Sequence, residues 1–509
     1  MGCGRPRGRV YVDAEVDQRS IAKVDLKDGP IPAYRGVMDA PTMTRTGPLR
    51  ACAALQVPAD AELADALRAR ATSRVECAIG DLGPLVRGKI VAASDFVAQR
   101  GCRLPSLALG LTVTGREPPA VFGPVLPPAY TDIRLVPAPR TLATASDPRH
   151  PASVICEPSG PLPAPRYGRH IDAAELSPRA ALRRILERLD AAGYRAVVAP
   201  ELEFFLVERA SHDPERIEAP AAASCARERV CEAYSLERTT QFAGFFDALY
   251  AACERFRIPI SGHAHEAALS QYEVNFHPGE PLAQADAVFR FKRLVRELAR
   301  RCGFLATFAA KPFLDQPGTG MHWHLSLHHR SGGNAFVDVS GRDAPALGSF
   351  VAGLQRDADA AMALYAPYEM SFERIRRSAA TPTRATWGRE DRTHAFRVPG
   401  SLPQDRRIEN RLPGGDANPY LALAVLVGTG WCGLDDGLPA TEDGVAGPRL
   451  PRTLADALAA LARNERLRAL LGDPLVDVYV ALKQDEDAQR SACREPRREW
   501  DLAHLLELA

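Results

Sequence analysis

The sequence predicts a protein of mixed helix and strand, α/β or α+β, in which a small strand-rich domain precedes a larger one. Short apolar runs separated by proline and glycine fill residues 73–166, the pattern of a compact strand-rich unit. From about residue 173 onward, stretches with a 3.6-residue apolar period alternate with strand-like runs, so the larger domain is not all-helical. At 509 residues the chain is also long enough for more than one core.

Residues 1–70 mix arginine, aspartate, glycine and proline, with one helical patch at 61–71, and read as a poorly ordered extension. Strands are expected at 75–79, 89–91, 107–113, 131–136 and 153–156. Residues 158–168, with four prolines and two glycines, read as an extended linker. A helix is predicted over 173–192. Leu182, Ile185, Leu186 and Leu189 form its stripe, Ser177-Pro178 its start and Gly193 its stop.

The run 196–207 reads as a strand, apolar except for Glu201 and Glu203. A helix over 239–257 leads to 261–276, and a helix over 282–302 places Val288, Phe291, Val295 and Leu298 on one face. Residues 304–310 and 318–327 follow, and 454–509 read as helices covering the outside.

Composition narrows the class of partner. Acidic and basic residues nearly balance at a net charge of +1, which leaves no global field for nucleic acid or an anionic membrane and points to a small molecule. Eleven cysteines without C-x-x-C pairs fit reduced thiols rather than a disulfide framework or structural zinc. No apolar core follows the arginine-bearing start, so no secretory signal is read there, and the apolar run 420–434 is too short and too rich in glycine to span a bilayer. A cytoplasmic protein is expected.

The chemistry concentrates in a few segments. In Gly318-Thr319-Gly320-Met321-His322-Trp323-His324-Leu325-Ser326-Leu327 a strand would aim His322, His324 and Ser326 at one face, either an ordinary solvent-facing row or the edge of a metal site. Glu201 and Glu203 likewise share a strand face, and two carboxylates so placed repel unless a cation sits between them. Glu266 and Glu273 need a bend between them to meet. Arg407, Glu409 and Arg411 alternate, as in a surface salt-bridge ladder or an anion grip.

Together these segments offer five glutamates and a histidine, donors suited to Mg2+ or Mn2+, beside arginines suited to phosphate or carboxylate. The combination fits metal-assisted phosphoryl transfer. The Walker pattern G-x-x-x-x-G-K-[ST] does not occur in the chain.

These motifs, in this order, resemble those of the glutamine synthetase family. They are Pro200-Glu201-Leu202-Glu203-Phe204; Glu266 with Gln271-Tyr272-Glu273-Val274-Asn275; Ala306 through Lys311-Pro312; Gly318 through Leu327; Trp387-Gly388 through Arg392 with Arg397-Val398-Pro399; and Arg407-Ile408-Glu409-Asn410-Arg411 through Asn418-Pro419.

The resemblance covers roughly residues 73–509 and implies an α+β fold. A β-grasp domain over 73–166 would precede a catalytic domain over 170–509 built on a curved antiparallel sheet with surrounding helices. Homo-oligomeric, dodecamer-like rings with sites between neighbouring subunits are also implied. The implied activity is ATP-dependent ligation of glutamate through a γ-glutamyl phosphate, in nitrogen metabolism.

Carried over by position, Glu203, Glu266 and Glu273 would hold one Mg2+ or Mn2+, and Glu201, His322 and Glu409 the other. His324 and Ser326 would face ATP, with Arg392, Arg397 and Arg407 on its phosphates. Gly318, Arg374 and Arg411 would hold glutamate, while Arg392 and Glu409 would act on the transferred group.

Two departures concern the second substrate. Ala380 falls where ammonia-using members carry a glutamate, and Thr112 where they carry an aspartate; Pro317 replaces an asparagine. A site stripped of both carboxylates holds ammonium poorly. The expected reaction is therefore ligation to a larger amine, resembling the γ-glutamylpolyamine and γ-glutamylethanolamide branch, with glutamine synthesis from ammonia as the alternative. The Arg376-Arg377 pair favours an amine with an anionic or polar tail over a polycation. A non-catalytic ring-forming relative would have no need of the six metal-ligating side chains.

Overall fold

The computed structural model describes residues 60–144, 150–210, 213–221, 227–377, 381–441, 443–444 and 447–509. Most of the expected extension, residues 1–59, lies outside these. The helical patch within it, Asp60–Ala69, does not behave as an extension, because Leu63 and Leu67 are buried in the main core.

Five strands build the small domain: β1 (Arg74–Gly80), β2 (Val86–Ala92), β3 (Cys102–Pro105), β4 (Asp132–Pro137) and β5 (Ala152–Ser159). They are ordered β2-β1-β5-β4-β3 with β1 and β5 parallel, and the helix Ala93–Gln99 buries Phe96 against them, as the β-grasp expectation requires.

The strand expected at 107–113 is absent. Residues Ser106–Leu109 form a 3-10 turn, and the Thr112 hydroxyl accepts from Arg116 N at 2.9 Å and pairs with Thr114 Oγ1 at 2.9 Å. Local side-chain bonds of this kind offer the backbone an alternative to a sheet ladder, so an apolar run alone misleads here.

The expected linker is also structured. β6 (Pro161–Ala164) and β7 (Arg169–Asp172) pair as an isolated hairpin, where prolines are tolerated because no further strand needs their missing N–H.

Next comes the helix Pro178–Ala191, capped by Ser177 Oγ, which accepts from Ala180 N. It leads into β8 (Tyr194–Ala210), the longest strand. With β9 (Asp213–Glu218), β10 (Ile260–His265), β11 (Gln271–Phe276), β12 (Leu305–Thr307), β13 (Met321–His329), β14 (Trp387–Arg389), β15 (Phe396–Val398) and β16 (Ile408–Asn410), it forms a nine-stranded sheet. Its main path runs β10-β11-β8-β13-β16-β15-β14, and β9 and β12 pair with β8. All its pairings are antiparallel except β14 with β15.

The sheet's two faces follow from period-2 alternation. Leu202, Phe204, Leu206, Trp323, Leu325 and Leu327 are fully buried on one face, each large side chain contributing about 1.5–3 kcal/mol. Glu201, Glu203, His322 and His324 are thereby turned to the other.

The apolar run 420–434 is a central helix, Pro419–Asp435, buried on nearly all sides from Pro419 to Gly430. Its glycines serve close packing. A Cβ at Gly433 would lie 2.3 Å from Ser349 O and 2.6 Å from Gly353 Cα of the helix Pro345–Arg356. No described helix is long and apolar enough to cross a membrane.

The final segment does more than cover the outside. Leu505, Leu506 and Ala509 are fully buried, and Arg296 donates to Ala509 O at 2.8 Å. The described cysteines are all unpaired.

Candidate active site

Strand register assembles the polar face. Glu273 on β11 lies opposite Glu203 on β8, His322 on β13 opposite Glu201, and Glu409 on β16 opposite both His324 and Arg397. Five neighbouring strands thus bring their ionisable side chains into one row, because directly opposed residues point to the same face.

Within this row His322 Nδ1 lies 3.6 Å from Glu201 Oε2 and 3.8 Å from Glu409 Oε1, and its Nε2 is 4.0 Å from Glu203 Oε1. Those separations are too long for hydrogen bonds. The two Nδ1 separations, to Glu201 and Glu409, are close to the spacing of donors that share one small cation, since ligands bonded at about 2.1 Å lie roughly 3–4 Å apart.

Glu201, His324 and Glu409 also bring donor atoms within 4.8 Å of one another. His324, however, is already engaged on both nitrogens. Arg407 Nε donates to its Nδ1 at 3.2 Å, which leaves the ring proton on Nε2 to be donated to Glu201 Oε1 at 2.8 Å. This geometry makes His324 the residue that orients Glu201, and His322 the better-placed donor.

The second set is held differently. Glu203 accepts from Gly320 N at 3.0 Å and from Gln271 Nε2 at 3.1 Å, and Asn275 donates to Glu273 at 2.9 Å. Glu266 sits in the bend after β10, its carboxylate accepting from Ala267 N at 2.9 Å.

Electrostatics separates the carboxylates. Burial opposes ionisation of Glu201, yet the His322 and His324 rings beside it hold it well below the ordinary carboxylate range. Glu409 is also lowered, with burial outweighed by His322 and Arg411. Burial and the neighbouring Glu201 and Glu203 push Glu273 up to about 8, and burial with Glu203 raises Glu266. Negative charge thus exceeds what the local cations neutralise. A hard divalent cation fits this oxygen-rich set with its one imidazole donor.

The arginines divide into two groups. Arg397 donates to Glu409 Oε2 at 2.6 Å, and Arg411 pairs with its other oxygen. Arg374 is 7% exposed and anchored only by main-chain carbonyls, Leu412 O at 3.0 Å and Arg411 O at 3.3 Å. Burial lowers its guanidinium below the ordinary value, as expected of a cation awaiting an anion.

Gly318 packs against this arginine. A Cβ there would fall 2.2 Å from Ala310 O and 2.9 Å from Arg374 Cγ, so only glycine fits, and its carbonyl accepts from Gln271 Nε2 at 3.0 Å. Arg392 is exposed, and only its carbonyl is engaged, accepting from Arg411 Nε at 3.0 Å. Ser326 lies further along β13 and pairs with His328 Nε2 at 3.0 Å.

Two residues escaped sequence reasoning. Gln271 joins Glu203 to Gly318, and its place in a quoted motif was the available signal. Glu228 gave no signal, since it lies in an irregular charged loop; its carboxylate is 3% exposed. It accepts from Ser270 N at 2.7 Å and pairs with His265 Nε2 at 3.2 Å, gripping both ends of the bend that carries Glu266. Ser270 there has a left-handed φ of 54°. Glu228→Ala is expected to weaken Mn2+ binding by about 10–100-fold in titration calorimetry. Glu228→Gln should restore most of it by keeping an acceptor for Ser270 N; equal loss in both variants would refute this role.

An oxygen-rich row of side chains that could hold a cation, beside a buried arginine with no carboxylate within 4.0 Å among the described residues, fits a metal-assisted enzyme acting on anionic substrates. Residues 175–503 match the family described as glutamine synthetase, catalytic domain, and the chain belongs to that family. It is an ATP-dependent ligase of glutamate.

Among its relatives is gamma-glutamylputrescine synthetase PuuA of Escherichia coli (strain K12), 31% identical over 443 residues, or 85% of this chain and 92% of that protein. Another is glutamate–isopropylamine ligase of a Pseudomonas species, 27% identical over 449 residues, covering 84% and 94%. The solved structure of apo GmaS without ligand superposes with a TM-score of 0.72 at 26% identity, covering 86% of this chain and 99% of that one.

Proposed function

We propose that the chain joins the side-chain carboxylate of glutamate to an amine larger than ammonia, through a γ-glutamyl phosphate. ATP is the phosphoryl donor and Mg2+ or Mn2+ the metal. Glu203, Glu266 and Glu273 hold one ion, and Glu201, His322 and Glu409 the other. When bound, these ions neutralise charge on the transferred phosphoryl group.

The chain's own side chains do the positioning. Arg374 receives a substrate carboxylate beside the Gly318 backbone. Arg397 and Arg411, which clamp Glu409 here, are poised to exchange that carboxylate for substrate phosphate and glutamate. Arg407, through His324, ties the nucleotide side of the site to Glu201, with Ser326 and Arg392 at its rim.

The observation that carries the amine reading is Thr112. It is fully buried, uncharged, and spends its hydroxyl on Thr114 and Arg116, so it offers an incoming ammonium no carboxylate. Ala380, the other departure, lies outside the described residues. Two relatives named for alkylamine substrates support the same reading. The tail preference expected from Arg376-Arg377 draws no support from Arg376, whose charge is met by Glu369 at 2.7 Å. A homo-oligomeric ring and a cytoplasmic location belong to the same proposal.

ADP release with glutamate should be measured across ammonia, isopropylamine, ethanolamine and putrescine. At least one amine is expected to exceed ammonia in kcat/KM by tenfold or more. Ammonia exceeding every amine would instead establish glutamine synthesis.

A further inference from the structure

A cavity of about 610 Å³ lies between β1, β2 and the start of β5 on one side and the helices Ala243–Phe256 and Pro281–Arg301 on the other. The ligase reaction uses none of its residues. Much of its wall is apolar, formed by Ala252, Phe256, Leu294, Leu298 and the half-exposed Ile90. Interfaces between structural layers are common places for small-molecule sites.

Four arginines also line it, and two of them are neutralised. Arg293 grips Glu76 with two bonds of 2.6 Å, and Arg301 pairs with Glu297 at 2.5 Å. Arg255 and Arg290 are not. Among the described residues neither has a carboxylate within 4.0 Å.

Their remaining partners are main-chain carbonyls. Arg255 reaches Pro151 O at 3.4 Å, and Arg290 reaches Ser153 O at 3.4 Å and also bonds Thr141 O. The Nε–H of each is buried without an acceptor. Both guanidinium carbons lie over the Phe256 ring, 4.8 and 5.6 Å from its centroid, so the two cations flank one aromatic side chain at the cavity wall. Burial lowers both below the ordinary arginine value. Two like charges over one ring, partly desolvated and with carboxylates only at longer range, Glu297 and Glu76 toward Arg255 and Asp286 and Glu76 toward Arg290, leave a cationic wall that an anion would complete.

We propose that this cavity binds an amphiphilic monoanion, with its carboxylate or phosphate head between Arg255 and Arg290 and its apolar body along Ala252, Leu294 and Leu298. A guanidinium pair recognises either head group, while the apolar wall rejects compact polar anions. The inference stands apart from the ligase reaction and does not depend on which amine is used.

Titration calorimetry on the full-length protein tests it with octanoate and octyl phosphate as the two head-group arms, and with 1-octanol and octylammonium as controls. Saturable binding of at least one anion is expected, at least tenfold tighter than either control. Arg255→Gln should weaken it by tenfold or more, and Ala252→Trp, which fills the cavity without touching a charge, should abolish it. Arg290→Gln is a further variant, and its failure to fold would leave the test to the other two. Equal binding of 1-octanol, no saturable binding of either anion, or binding that survives both Arg255→Gln and Ala252→Trp would overturn the proposal.

Discussion

Glu409→Ala is expected to lower γ-glutamyl phosphate formation by about a thousandfold or more, while the oligomeric state is unchanged. The carboxylate is 1% exposed, lies 3.8 Å from His322, and meets both Arg397 and Arg411. Its loss removes a proposed metal donor and leaves two arginines facing each other. A thousandfold corresponds to about 4 kcal/mol of barrier, the scale of metal-assisted charge stabilisation.

Breaking a buried ion pair by removing one partner also costs about 3–5 kcal/mol of stability, so Glu409→Gln, which keeps the shape, should be measured beside it. Trapping the acyl phosphate with hydroxylamine reads the chemical step, and gel filtration reads assembly. Undiminished trapping in both variants would remove Glu409 from the metal shell.

The metal-free protein should be destabilised by its own site, and Glu273→Gln should relieve this. In the folded chain Glu273 is pushed up to about 8, from an ordinary value of 4.5. The folded state therefore holds a proton that the unfolded state has lost between those two values. Stability falls as pH rises through this window and then levels off. The penalty at neutral pH and above is on the order of a few kcal/mol.

Glu273→Gln should accordingly raise the melting temperature of the metal-free protein at pH 8 by several degrees and leave it nearly unchanged at pH 5. The same variant should lose most of the stabilisation that Mg2+ or Mn2+ gives the wild type. Thermal denaturation with and without metal decides this. A variant no more stable than the wild type at pH 8 without metal would refute the charge-repulsion account.

How much of this was legible depends on the range of the interaction concerned. The polar row of β13 was readable because alternation is local: Trp323, Leu325 and Leu327 in the core force His322 and His324 outward. The same logic turned out Glu201 and Glu203. The resemblance to a known family then supplied roles that no periodicity contains. Residues 107–113 misled, since an apolar run does not distinguish a strand from a buried turn held by Thr112. The run 420–434 was read as too short to span a bilayer, but its place as the buried central helix followed from glycine contacts with another helix.

By itself the sequence determined the mixed architecture, the two-faced strands and the inventory of metal-ligating and anion-binding side chains, because these depend on periods of two to four residues and on chemical type. Tertiary structure alone decided which of them meet. Pairing of β13 with β16 carries Glu409 across some eighty residues of chain to lie opposite His324, and a loop with no regular pattern delivers Glu228 to the bend beneath Glu266. The cavity walled by Arg255 and Arg290 also exists only after two helices dock on the small sheet. Register and docking are set by the packing of distant surfaces against one another, and no local period records that choice.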